Sequence, residues 1–283
     1  MAQLAVAIDD LDRRFTDYLQ SGRFALPVFP RVAQAVLEAA QDERRGAADV
    51  AKMVEKDPVL CGKVLAAASS SLYGGTRVVS IKQAVARVGT AEVALIATAI
   101  ALEGAVFRSG PFDELLSECW RSCVTTGMFA KEIARVRRRG VDTAFLCGLF
   151  HLVGYPIALD VLVRMDARCS SERANDVAER HAPRLGAAAV REWGMSASVV
   201  AAVAFARGGD PPADAADDVH TVRLASALSR WALTVGTEPE RARVLEQSID
   251  ELPAVVALNL YPEDLAAIRN RGAAIAASLE ALR

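Results

Sequence analysis

Residues 57–75 read DPVLCGKVLAAASSSLYGG and contain both the start and the stop signal of an α-helix. Asp57 suits the N-cap position, because its side-chain oxygen can accept hydrogen bonds from the free backbone N–H groups of the first turn. Pro58 suits the first helical position, where a backbone N–H has no partner within the helix. Gly74 and Gly75 then provide a common helix terminus. This stretch therefore predicts a helix rather than a strand.

Similar helix signals lie on both sides of this stretch. Ser80 is placed as an N-cap, and Gly89 follows as the terminus of that short helix. Between residues 111 and 139 Gly127 is the only helix breaker, which predicts a long helix. We find no alternating apolar run long enough for a strand and no hairpin turn signal. The sequence therefore predicts an all-α fold.

The composition excludes several classes of protein. The chain has 283 residues, of which 52% are hydrophobic and 24% charged, so it can bury a core and is not intrinsically disordered. A net charge of −2 argues against nucleic-acid binding through bulk positive charge. The apolar runs 93–102 and 143–159 are shorter than the roughly 18 residues of a membrane span, and the N-terminus lacks a basic leader. We therefore expect a cytoplasmic protein with no membrane or nucleic-acid partner.

The cysteines fit the same expectation. There are five, an odd number, and none forms a Cys-x-x-Cys motif. We interpret them as reduced, small apolar residues of the core. Cys119 and Cys123 are four residues apart and could share one helix face, but no nearby histidine would complete a metal site.

Three stretches of the sequence together resemble the HDOD family, a bacterial relative of the HD-domain phosphohydrolases. They are LPVFP at residues 26–30, the segment 50–89 that contains the capped helix start, and GLFHLVG at residues 148–154 with His181, Gly186 and Trp193 downstream. The first two stretches contribute residues with structural roles: Pro27, Pro30, Asp57, Pro58, Ser70 and Gly89. The resemblance covers about residues 20–210.

The resemblance implies an HD-like bundle of helices. We expect a helix at residues 1–19, the HDOD domain at residues 20–210, and a helical extension at residues 215–283 that packs on the domain. The extension should not be separate, because several of its apolar residues need cover. These are Leu224, Leu228, Trp231 and Leu233.

HD-domain hydrolases bind a divalent metal through a His-Asp pair on one helix, an earlier histidine and a later aspartate, and the metal activates a water. The resemblance places the pair at His151 and Leu152, and the earlier ligand at Ser122. Leucine cannot coordinate a metal, and a serine hydroxyl is a poor replacement for imidazole. Tyr155 also stands where the hydrolases often have lysine. We therefore expect no metal, no cofactor and no catalytic residue.

Two interpretations of His151 remain open. Its neighbours are apolar, so one ring nitrogen could bond a buried carbonyl or hydroxyl while Leu152 is buried beside it. Alternatively, His151 lines a vestigial ligand pocket with Ser122, Leu152 and His181.

The leading functional hypothesis is a non-enzymatic bacterial regulator that acts by binding other signalling proteins, with self-association left open. One alternative is a sensor of a small molecule or nucleotide that uses the vestigial pocket. A further alternative is a metal-dependent phosphohydrolase with an unusual site.

Overall fold

The structure, a computed structural model, describes residues 2–42, 44–107 and 110–279. All regular structure in these ranges is helical, which confirms the all-α prediction. The N-terminal half contains a 3₁₀ turn (Ser71–Tyr73) and six α-helices: α1 (Ala2–Gln20), α2 (Arg31–Gln41), α3 (Ala47–Glu55), α4 (Pro58–Ala68), α5 (Ile81–Val88) and α6 (Thr90–Val106).

The centre of the molecule is built from five further helices: α7 (Asp113–Val136), α8 (Val141–Phe150), α9 (Gly154–Arg164), α10 (Ser171–Glu192) and α11 (Ala197–Phe205). A second 3₁₀ turn (Ala213–Ala215) leads into the C-terminal helices: α12 (Ala216–Thr234), α13 (Pro239–Asp250), α14 (Pro253–Ala257), α15 (Pro262–Arg269) and α16 (Gly272–Ser278).

The helix starts follow the local sequence. Asp57 caps α4 through Oδ1, which accepts the backbone N–H groups of Val59 (3.0 Å) and Leu60 (3.1 Å). Ser80 caps α5 in the same way. Gly89 has a φ of +91°, a conformation that favours glycine, and it allows the chain to turn by 118° between α5 and α6.

Paired glycines bring the central helices unusually close. A Cβ atom on Gly148 would lie 2.6 Å from the Cα of Gly127, so α7 and α8 touch through their backbones. A Cβ atom on Gly154 would lie 1.9 Å from the carbonyl oxygen of Ala182, opposite Gly186 on α10. Only glycine permits such approaches. The two contacts fix the turn between α8 and α9.

Three aromatic rings join the LPVFP segment to the central helices. The ring of Phe29 lies 6.0 Å from that of Phe150 and 5.3 Å from that of Trp193. The indole N–H of Trp193 also donates a hydrogen bond to the carbonyl of Pro27 (2.7 Å). Pro30 then immediately precedes α2. The segment is therefore a structural anchor.

The C-terminal helices share the core of the central helices. Helix α12 packs along α7 and contacts α8 and α11, while α16 packs on the first 3₁₀ turn. Leu224 and Leu228 are fully buried, and Trp231 is partly buried against the same core. The guanidinium of Arg137 bonds Asp217 (2.9 Å) across the boundary. The exact division of the chain at residues 20 and 210 stays a prediction.

One apolar helical segment is longer than the run at residues 143–159 that the sequence predicts. Because only a three-residue turn separates α8 from α9, the stretch Val141–Arg164 passes a length and composition test for a membrane span. However, 78% of its most apolar window is buried inside the protein. A core helix of a globular protein passes the same test, so this result is weak evidence for a membrane span.

Candidate functional site

A cleft of 760 Å³ opens beside the turn between α8 and α9, bordered by α7, α10, α12 and α13. Three of the four residues predicted to form a vestigial pocket line it: Ser122, His151 and Leu152. The structure therefore brings together three residues that the resemblance places at the metal site of HD-domain hydrolases.

His151 lies at the C-terminal end of α8 and is only 4% exposed. Its Nδ1 is 2.6 Å from the carbonyl oxygen of Gly148. A carbonyl can only accept a hydrogen bond, so Nδ1 carries a proton, and Nε2 is an acceptor whenever the ring is neutral. No atom of the described chain meets Nε2 with hydrogen-bond geometry. His151 thus both bonds a buried carbonyl and lines the cleft.

Leu152 is less buried than expected. The sequence suggested a continuous apolar helix through this residue, but α8 ends at Phe150 and residues 151–153 form a turn. The turn leaves Leu152 partly buried, with its side chain lining the cleft. The expectation that Leu152 is buried is therefore wrong, because the residue borders an open cleft.

Two cysteine thiols lie beside this histidine. All five cysteines are free; Cys119 lines the cleft, and Cys123 is fully buried behind it. Burial acts to raise the pKa of Cys123, but the hydrogen bond with the Cys119 thiol lowers it. Burial raises the pKa of Cys119.

His181 lies outside the cleft. Its Nε2 is 2.8 Å from Oδ1 of Asp12, and its ring stacks 4.5 Å from the ring of Phe15, so it holds α1 against α10. Asn175 and Glu179, one turn apart on α10, line the cleft instead. His181 is two residues beyond Glu179, about 200° around the helix, and therefore faces away.

The remaining motif residues lie at helix ends and turns. Pro58 begins α4, directly after its cap. The carbonyl of Ser70 accepts the backbone N–H groups of Tyr73 (3.0 Å) and Gly75 (2.9 Å), which closes the turn after α4. None of these residues lines the cleft.

Polar residues outside the predicted pocket also line the cleft. The hydroxyl of Tyr155 donates a hydrogen bond to Oδ1 of Asn175 (2.7 Å), and Arg207 forms an ion pair with Glu179. Burial is the main reason that the pKa of Tyr155 is raised. These contacts join α9 and α10 to the end of α11.

Three more arginines come from helices outside the predicted HDOD domain. Arg223 and Arg230 lie on α12, and Arg241 lies on α13. A signal for the first two was present in the sequence, since residues seven positions apart occupy one helix face. The sequence did not show which face of α12 would meet the cleft.

The donor set of the cleft does not fit a divalent metal. HD-type chemistry needs several imidazole and carboxylate ligands around one point. Here the pair position offers one imidazole and Leu152, and the earlier position offers the hydroxyl of Ser122. Within the described ranges, no group of three or more His, Cys, Asp or Glu side chains is arranged to hold a metal ion.

Comparisons with known proteins agree with this fold. Over 98% of the chain, the structure is similar to a provisionally named metal-dependent phosphohydrolase from Shewanella amazonensis SB2B (TM-score 0.70, 24% identity, 99% of that chain). An HDOD domain protein with unknown function from Geobacter sulfurreducens matches 94% of the chain (TM-score 0.61, 19% identity, 98% of that chain). A provisionally named signal transduction protein from Marinobacter aquaeolei VT8 matches 96% (TM-score 0.61, 23% identity, 66% of that chain).

At these identities the similarity to solved structures establishes the fold alone. No curated protein is significantly similar to this chain. The family model of the HDOD domain matches residues 26–208, which is more than half of the sequence. It includes the anchor segment, the capped helix α4 and the turn that carries His151 and Leu152. The chain therefore belongs to the HDOD family.

Proposed function

We propose that this protein is a non-enzymatic regulator of bacterial signal transduction that acts in the cytoplasm by binding other signalling proteins. The names of similar proteins suggest two functions, signal transduction and phosphate ester hydrolysis. The Marinobacter protein is provisionally named a signal transduction protein, and the Shewanella protein a metal-dependent phosphohydrolase. The chemistry of the cleft favours signal transduction.

The observation that carries the proposal is the pair of residues in the turn after α8. A hydrolase needs a carboxylate beside the histidine to hold the metal and balance its charge. Here Leu152 projects into the cleft at that place. Its hydrocarbon side chain can neither bind a cation nor orient a water. Regulation through binding needs no such group.

A second groove offers a surface for a partner protein. It has a volume of 580 Å³ and lies between the start of α2, α4 and the end of α6. Val59 is 69% exposed there. Its apolar neighbours in the groove include Pro30, Val32, Ile100 and Phe107. An apolar groove with charged residues at its rim has the composition of a protein-binding site.

Affinity capture from cells of the source organism tests the proposal. We expect the tagged full-length protein to enrich one or a few specific proteins, and Val59→Asp to abolish that enrichment, because a carboxylate disrupts an apolar contact. Val244→Asp is the matched control, since Val244 is 66% exposed on α13, away from the groove. Equal capture by wild type and Val59→Asp would contradict a role for the groove. Capture of no specific protein would contradict the proposal itself.

The open cleft favours a second candidate function, a sensor of a small molecule. Its volume of 760 Å³ lies within the range of about 300–1,000 Å³ typical of ligand pockets. In this function, ligand binding would alter the protein's interaction with its partner rather than lead to a chemical step.

A further inference from the structure

The C-terminal helices give one wall of the cleft a positive charge. Arg223 and Arg230 on α12 and Arg241 on α13 line it, together with Arg207 after α11. Two glutamates also line the cleft, so the positive charges exceed the negative ones by two. The protein as a whole has a net charge of −2, so this concentration of cations is local.

The arginines differ in how they are held. Arg207 is paired with Glu179. Arg223 donates to the carbonyl of Phe205 from Nε (3.2 Å) and Nη2 (2.8 Å), which fixes its guanidinium without neutralising it. Arg230 forms no ion pair or side-chain hydrogen bond within the described part of the chain. Arg241 forms an exposed ion pair with Glu238 (3.2 Å). Within the described ranges no carboxylate pairs with Arg223 or Arg230, so the cleft contains guanidinium charge that is not balanced.

An independent feature of the cleft also points to a ligand. Within the described ranges, the Nε2 atom of His151 has no hydrogen-bond partner, and the residue is only 4% exposed. A buried polar atom left unpaired is unfavourable, and a ligand hydroxyl or amine would satisfy it. Beside it, Leu115, Leu152 and Leu252 provide apolar surface.

We infer that the cleft binds an organic phosphate the size of a mononucleotide, with its phosphate at Arg223, Arg230 and Arg241 and a donor group at His151. Guanidinium groups bind phosphate with strong, charge-assisted hydrogen bonds. The leucines would contact the base, and no bond of the ligand is broken. The inference rests on the sensor proposed above as the second candidate, and it gives the HDOD domain a binding site completed by the helices that follow it.

Isothermal titration calorimetry of the full chain with AMP, GMP and the corresponding nucleosides tests this inference. We expect at least one nucleotide to bind, and its nucleoside to bind about tenfold more weakly or worse, because the phosphate contacts are lost. The double variant Arg230→Ala/Arg241→Ala should lose about tenfold or more in affinity for the nucleotide. Arg243→Ala is the matched control, since Arg243 is exposed on α13 and does not line the cleft. Its affinity should equal that of wild type.

Failure of the inference and failure of the proposed function can be told apart. Absence of binding by both nucleotides, equal binding of nucleoside and nucleotide, or unchanged affinity of the double variant would each overturn the inference and leave a non-enzymatic regulator in place. Phosphorus NMR of the same mixtures tests the proposed non-enzymatic function. Release of inorganic phosphate by wild type would contradict the non-enzymatic function.

Discussion

Replacing Gly154 with alanine is expected to lower the free energy of unfolding by about 3 kcal/mol or more, the upper range for an overpacked core. The added methyl group would lie 1.9 Å from the carbonyl oxygen of Ala182 and 2.5 Å from the backbone nitrogen of Gly186. Both atoms belong to the backbone of α10, so no side chain can rotate away. The two helices must separate, and the buried surface between them is lost. Chemical denaturation followed by circular dichroism measures the change.

Gly62→Ala is the matched control for this experiment. Gly62 is exposed in the interior of α4, and a Cβ atom there would meet nothing within 4 Å. Alanine has a higher helix propensity, so this variant should be more stable than wild type by up to about 1 kcal/mol. If Gly154→Ala were as stable as wild type, the close approach of α9 and α10 would be wrong, and with it the position of the turn that carries His151.

Replacing Lys131 with methionine is expected to cost about 3–5 kcal/mol of stability, the range for removing one partner of a buried ion pair. Lys131 and Glu92 form an ion pair with side chains only 6% and 9% exposed, and the hydroxyl of Tyr73 also donates to Glu92. The substitution leaves the carboxylate buried without its cation. Thermal unfolding should show a clearly lower Tm.

A double variant separates charge from packing in this pair. Glu92→Gln/Lys131→Met removes both charges and should recover most of the lost stability. A double variant no more stable than Lys131→Met would contradict this account of Lys131.

Local sequence signals were sufficient for much of the fold. The caps at Asp57 and Ser80 and the positive φ of Gly89 depend on residues within a few positions of one another, so the sequence contains the information directly. The expected hydrogen bond from His151 to a buried carbonyl is of the same kind, because Gly148 is only three residues away.

Features that depend on tertiary packing cannot be predicted from the local sequence. The resemblance groups His181 with the cleft, but the direction of its side chain depends on how α10 is rotated between α1 and α9. The sequence predicts a buried Leu152, because an apolar run does not reveal a turn at its end. The arginines of α12 and α13 reach the cleft only because the C-terminal helices fold back over α7. Helix α12 begins 80 residues after α7 ends, so the local sequence does not reveal this contact.

Elemental analysis of the purified full-length protein is the most direct test of the central claim that the cleft is not a metal-dependent hydrolase centre. We predict no stoichiometric iron, manganese or zinc, because the resemblance places Ser122 and Leu152, which are poor ligands, at two of the ligand positions. About one tightly bound transition metal per chain, lost in a folded His151→Ala variant, would contradict it.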